Sequence, residues 1–137
     1  MKKERIMVVE DEIVTARSLQ MSLEKLDYVV TAIISSGEQA IQKLEDGDCP
    51  DLVLMDISLQ GKIDGIETAE IINTRFDLPV IYLTSSVDIS VFEKAKTTNP
   101  YGYITKPSKK EALQKVIELG LYRHRSDKER RMLVIER

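Results

Sequence analysis

Leu52-Val53-Leu54-Met55-Asp56 is the stretch on which the fold turns: an unbroken apolar run closed by an acid. A half-exposed strand would alternate apolar with polar residues. An uninterrupted apolar run between polar boundaries is the pattern of a strand buried on both faces. Burying both faces requires covering layers, and the neighbouring sequence supplies them. Upstream, Ala40, Ile41 and Leu44 recur at helical spacing behind Ser36 and Gln39, a pair able to form a capping box. Downstream, a Gly-containing loop leads to a helix-period segment with Ile66, Ala69, Ile71 and Ile72.

The alternation extends to both ends. Ile6-Met7-Val8-Val9 precedes a segment with Ala16, Leu19, Leu23 and Leu26 on one face. Tyr28 to Ile34 is β-branched and apolar, and is bounded by Ser35-Ser36-Gly37. Pro79-Val80-Ile81-Tyr82-Leu83 gives a fourth strand, with a helix from about Ile89 to Lys96. Tyr103-Ile104 is a short fifth strand. Ser108 and Glu111 form a second capping-box pair, opening a last helix through Leu113, Val116, Ile117 and Leu121. Five strands alternating with five helices predict an α/β, doubly wound parallel sheet with right-handed crossovers and helices on both faces. The expected strand order is 2-1-3-4-5.

Bulk properties narrow the function classes. A chain of 137 residues fits one compact domain. Only 5% of it is aromatic and there is no Trp, so a stacking platform for single-stranded nucleic acid is poorly supplied. A net charge of −3 argues against domain-wide attraction to DNA or anionic lipid. Cys49 is the only cysteine, which excludes an internal disulfide and fits a reducing compartment. It reads as a structural thiol in the turn-like stretch from Asp46 to Pro50. The opening run to Glu10 is too short for a signal peptide, and no stretch approaches a membrane span. A cytoplasmic location is expected, with no membrane partner and no direct nucleic-acid binding by this domain. Residues 1–123 are expected to form the domain, and 124–137 a charged helical tail or linker to a further domain. The basic run from Arg123 to Arg131 reads as a solvated helix. Its His124, the one histidine of the chain, reads as an exposed residue rather than a relay or metal site.

In sheets of this class, ligands bind beyond the carboxyl ends of the strands, where strand order reverses. Strand one ends in Glu10-Asp11-Glu12, strand three in Asp56, strand four in Thr84-Ser85-Ser86, and strand five in Thr105-Lys106-Pro107. Strand two ends in Ser35-Ser36-Gly37 and offers nothing obviously chemical. An acid placed directly after a buried apolar strand is costly without a purpose. Carboxylates converging from two adjacent strands call for a hard cation, and oxygen-only ligation is the Mg²⁺ pattern. A carboxylate beside such an ion can attack a phosphoryl donor and form an acyl phosphate. Mg²⁺, Lys106 and the Thr84 hydroxyl would then each take one phosphoryl oxygen.

Five pieces in order resemble the receiver domain of two-component response regulators, a flavodoxin-like fold. They are Val8-Val9-Glu10-Asp11-Glu12, Leu54-Met55-Asp56, Asp64-Gly65, Leu83-Thr84-Ser85 and Gly102-Tyr103-Ile104-Thr105-Lys106-Pro107. The resemblance covers roughly Lys3 to Tyr122. It implies that Asp11 ligates Mg²⁺ (or Mn²⁺ as a substitute), with Glu10 acting largely through water. It further implies that Asp56 is the phospho-acceptor and the Ser58 main-chain carbonyl the third protein ligand. Thr84 resembles the switch hydroxyl, Lys106 the phosphate-pairing lysine, and Tyr103 the aromatic that swings inward on activation. A cis bond at Lys106-Pro107 is implied as well.

The implied partner is a histidine kinase or a histidine phosphotransfer protein. Homodimerisation through the fourth helix, fifth strand and fifth helix is a candidate assembly. The sequence departs from the family in one loop. Leu59-Gln60-Gly61-Lys62-Ile63-Asp64-Gly65 lacks the usual Pro and is one residue longer, and Gly61 would ease the altered turn. Ser58 and Ser86 are similar to positions that flank the path of an attacking water and tune dephosphorylation. The implied activity is self-catalysed phosphotransfer and autodephosphorylation rather than turnover of a substrate. An aspartyl phosphatase of the haloacid dehalogenase type would want Asp-x-Asp, where this chain has Asp56-Ile57-Ser58. A flavin mononucleotide module would need a phosphate-cradling loop at Glu10-Asp11-Glu12, where the acids repel phosphate. A degenerate receiver serving as a phosphorylation-independent binding module is the remaining alternative.

Overall fold

The computed structural model describes residues 3–85, 89–106 and 109–136. Pro107, Ser108 and Ser86 lie outside them, and with them the expected cis bond, the second capping-box pair and one position flanking the water path. Elements follow the expected alternation: β1 (Arg5–Val9), α1 (Ile13–Lys25), β2 (Val29–Ile34), α2 (Gly37–Glu45), β3 (Leu52–Asp56), α3 (Gly65–Phe76), β4 (Val80–Thr84), α4 (Ile89–Lys96), β5 (Gly102–Thr105) and α5 (Lys110–Glu136). All four strand pairings are parallel, and the sheet order is β2-β1-β3-β4-β5.

The apolar strands divide their residues between two cores by simple parity. Met7, Val9, Val53, Met55 and Tyr82 join the layer made with α2, α3 and α4. Ile6, Val8, Leu54, Ile81 and Leu83 join the layer made with α1 and α5. This is why the runs are continuous: each face of the sheet has its own helices to satisfy. Parity also sets where strand-end side chains go. Glu10, Asp56 and Lys106 continue the α1/α5 phase of Val8, Leu54 and Ile104, whereas Thr84 continues the opposite phase of Tyr82.

The last helix runs 27 residues and passes through Gly120 without a break. Its apolar stripe of Leu113 and Ile117 continues as a polar one. His124, Asp127 and Arg131 recur at three- and four-residue spacing, so they share one face, and that face returns to the domain. His124 Nε2 is 3.3 Å and Arg131 Nη2 is 3.0 Å from Asp77 Oδ1. The Tyr101 hydroxyl donates to Asp127 at 2.8 Å, and the Tyr101 and His124 rings meet edge-on at 5.6 Å. The expectation of an exposed His124 is therefore corrected: its side chain is only 13% exposed. Burial draws the Asp77 carboxyl upward, but hydrogen bonds from Arg131 and His124 outweigh it and hold the group below its ordinary range.

Candidate functional site

Three carboxylates collect at the carboxyl end of the sheet. One oxygen each from Glu10, Asp11 and Asp56 lie within 4.8 Å of one another. Glu10 and Asp56 are 2% and 4% exposed, while Asp11 is open to solvent. Each is delivered by the end of a central strand, because β1 and β3 are neighbours whose registers run level. Lys106 arrives from β5, its amide donating to Thr84 O at 2.7 Å and so tying it to β4. Its Nζ pairs with Glu10 Oε1 and lies 3.5 Å from Asp56 Oδ1. A single ammonium thus bridges two of the three acids.

The site lies in a cavity of about 490 Å³ lined by Glu10, Asp11, Asp56, Ser58, Ser85 and Lys106, with α1 forming one wall. Burial pushes the Glu10 carboxyl above its ordinary range; the Lys106 bond opposes that shift and Asp56 adds to it. Asp56 Oδ1 accepts from Ser58 N at 3.0 Å and from Ser58 Oγ at 2.9 Å. The Ser58 carbonyl accepts from Gln60 Nε2 at 3.1 Å. The three carboxylates present hard oxygens, two of them on buried side chains, a set that fits a hard divalent cation. Glu10, Asp11 and Asp56 are the groups able to hold it.

Thr84 does not line this cavity; Ser85 does, as strand parity dictates. Tyr103 sits on the α4 side, its ring 4.8 Å from that of Phe92 and 5.9 Å from that of Tyr82. The Tyr103 hydroxyl is buried with no hydrogen-bond partner among the described residues. Beside it, the Tyr82 hydroxyl meets Thr98 Oγ1 at 2.8 Å, and Thr98 gives its own proton to Ala95 O. Tyr82 is therefore the donor, and it pins the end of α4 to β4.

Leaving the site, the backbone returns to it. Asp56 O accepts from Leu59 N, and Leu59 O accepts from Gly65 N. A Cβ on Gly65 would fall 2.2 Å from Asp56 O, so only glycine permits this approach. Asp64 then caps α3 with a complete capping box to Glu67, a feature sequence reasoning missed although Asp-x-x-Glu was in view. Strand two contributes no side chain to the acidic cluster, yet the helix after it touches this loop. The Glu38 carboxylate accepts from Ile63 N at 2.9 Å. That residue was missed as well, since an acid in a first helical turn already has an explanation in the helix dipole.

The fold and this strand-end constellation together define a receiver-type domain. The model of the response regulator receiver domain family matches residues 6–118, and the chain belongs to that family. It is similar to the transcriptional regulatory protein PdtaR of Mycobacterium tuberculosis, with 29% identity across 88% of this chain and 58% of that protein. The chain thus spans little more than half the length of this curated relative. The signal receiver domain of a modulated diguanylate cyclase from Desulfovibrio desulfuricans superposes with a TM-score of 0.87 at 36% identity, covering 92% of this chain and 99% of that one. The receiver domain of sensor histidine kinase PA1611 from Pseudomonas aeruginosa, solved with a magnesium ion coordinated in its active site cleft, gives 0.77 at 27% identity, covering 88% and 98%.

Proposed function

We propose that this chain accepts a phosphoryl group on Asp56 from the phosphohistidine of a histidine kinase or histidine phosphotransfer protein, and does so with Mg²⁺. The observation that carries the reading is the meeting of three carboxylates around a point reached by the Lys106 ammonium. A carboxylate oxygen of Asp56 attacks phosphorus. The P–N bond breaks with its electron pair on the ring nitrogen, and a ring protonated at its other nitrogen leaves as neutral imidazole. Asp56 becomes an acyl phosphate. Asp11, Glu10, Asp56 and the Ser58 carbonyl would hold Mg²⁺, with Mn²⁺ as a substitute. When bound, the ion supplies charge neutralisation for the crowded acids and one phosphoryl oxygen. The magnesium-bearing cleft of the PA1611 receiver domain supports that assignment.

Lys106 pairs with a second phosphoryl oxygen, and the Thr84 hydroxyl turns toward the third. Drawing Thr84 toward the phosphoryl group frees space on the α4 side, where Tyr103 repacks and the α4–β5–α5 face changes. That is a shift between two packings, biased by new charge-assisted bonds. Residues 1–123 are the accepting unit, and the changed face is the output surface, with homodimerisation one use of it. Labelling by radioactive acetyl phosphate with Mg²⁺ tests the acceptor. Asp56→Asn is expected to reduce incorporation to background, and undiminished labelling of that variant rejects the assignment.

A further inference from the structure

Glu38 lies on the first turn of α2, outside the acidic cluster, and its carboxylate reaches across to the loop that leaves the cluster. Ile63 N donates to it at 2.9 Å. Hydrogen bonds, that from the Ile63 amide first, hold the Glu38 carboxyl below its ordinary range. Its two oxygens stand 3.2 and 3.5 Å from where a Cβ on residue 61 would be, and Gly61 has φ +152°. The backbone conformation favours glycine there. The loop thus brings the Ile63 N–H onto the Glu38 carboxylate.

This loop, residues 57–64, holds no proline. A loop without proline has more conformations to lose, and Ser58 and Leu59 at its start are the residues that bond back to Asp56. We propose that Glu38 is a positioning residue for the phospho-acceptor site: by gripping Ile63 it holds the loop so that the Ser58 amide stays on Asp56. The inference rests on the acceptor reading given above. The dipole of α2 accounts for an acid at this position, but not for a side chain that reaches across to another loop.

Isothermal titration of Mg²⁺ into the whole chain, well below its melting temperature, separates positioning from mere stability. Glu38→Ala is expected to weaken Kd about tenfold, the lower end of what outer partners of metal ligands contribute. Glu38→Gln, which keeps one acceptor oxygen, is expected to fall between. Without metal, the Ile63 amide of Glu38→Ala should exchange faster with deuterium. Ile72→Val is the stability control: it loosens the core beneath α3 and leaves every loop bond intact. It should melt earlier and keep the wild-type Kd. Wild-type affinity in Glu38→Ala, with that amide exposed, overturns the inference alone. A wild-type chain that neither binds Mg²⁺ nor takes label overturns the acceptor reading with it.

Discussion

Glu10 is buried beside Asp56, and burial first, with Asp56 adding and Lys106 opposing, raises its carboxyl above the ordinary 4.5. A carboxyl whose folded pKa is raised stabilises the fold fully below its unfolded value. That contribution is lost as pH climbs through the folded one. In cation-free protein, ionised Glu10 therefore weakens the fold at neutral pH, and a bound divalent ion relieves it. The rise in Tm caused by Mg²⁺ over EDTA is expected to be larger at pH 7 than at pH 5, as read by circular dichroism. Equal rises at both would remove Glu10 from cation binding. On the other face of the sheet, Tyr82→Phe deletes the bond to Thr98 while Thr98 keeps Ala95. Its expected cost is about 1 kcal/mol in urea unfolding, the usual net value of one buried hydrogen bond. Glu10 and Asp56 were legible in the sequence because each closes an apolar run, and Lys106 because it stands at a strand end next to Pro107. Glu38 and the Tyr82–Thr98 bond were not, since each links elements whose approach no local pattern encodes.

Among elements, α3 depends on its start. Asp64 accepts from Glu67 N at 2.8 Å and Glu67 answers at Asp64 N at 3.2 Å. Asp64→Ala is expected to lower stability by about 1 kcal/mol, typical of a lost N-cap, with chemical denaturation as the measure. The sequence placed a capping box at Ser36 and Gln39 instead. Half of it forms: Ser36 Oγ accepts from Gln39 N, while the Gln39 side chain accepts from Ser35 Oγ. The extended loop around Gly61 is what hid the true box, because it obscured where α3 begins. The end of α5 offers another check. Ending the chain after Arg123 removes His124, Asp127 and Arg131 from Tyr101 and Asp77. The Arg131 and Asp127 contacts are solvent-screened and the His124 ring is the part that packs, so a small drop in Tm is expected, with acetyl phosphate labelling retained. A truncated chain that fails to fold would extend the domain into the tail.

Over the whole molecule, strand order was readable because uninterrupted runs and regular helices leave few topologies open. What the order could not convey is which strand-end residues face which side, and parity decides that once β1, β3 and β5 are in register. The two sides divide labour, with charge and cavity toward α1 and α5, and the aromatic trio of Tyr82, Phe92 and Tyr103 toward α4. Beryllofluoride, a phosphoryl mimic, is expected to alter the α4–β5–α5 face. Light scattering with and without it should show the mass doubling if that face serves self-association. An unchanged mass would assign the face to a different partner.

The contact between Gly65 and the carbonyl of residue 56 has a bearing on genetics. A codon randomised at position 65 and screened only for soluble expression should return glycine almost alone. Alleles that lose signalling through that codon would then resemble acceptor knockouts in every phenotype, although the acceptor's own codon is intact, and only protein abundance would tell the two apart.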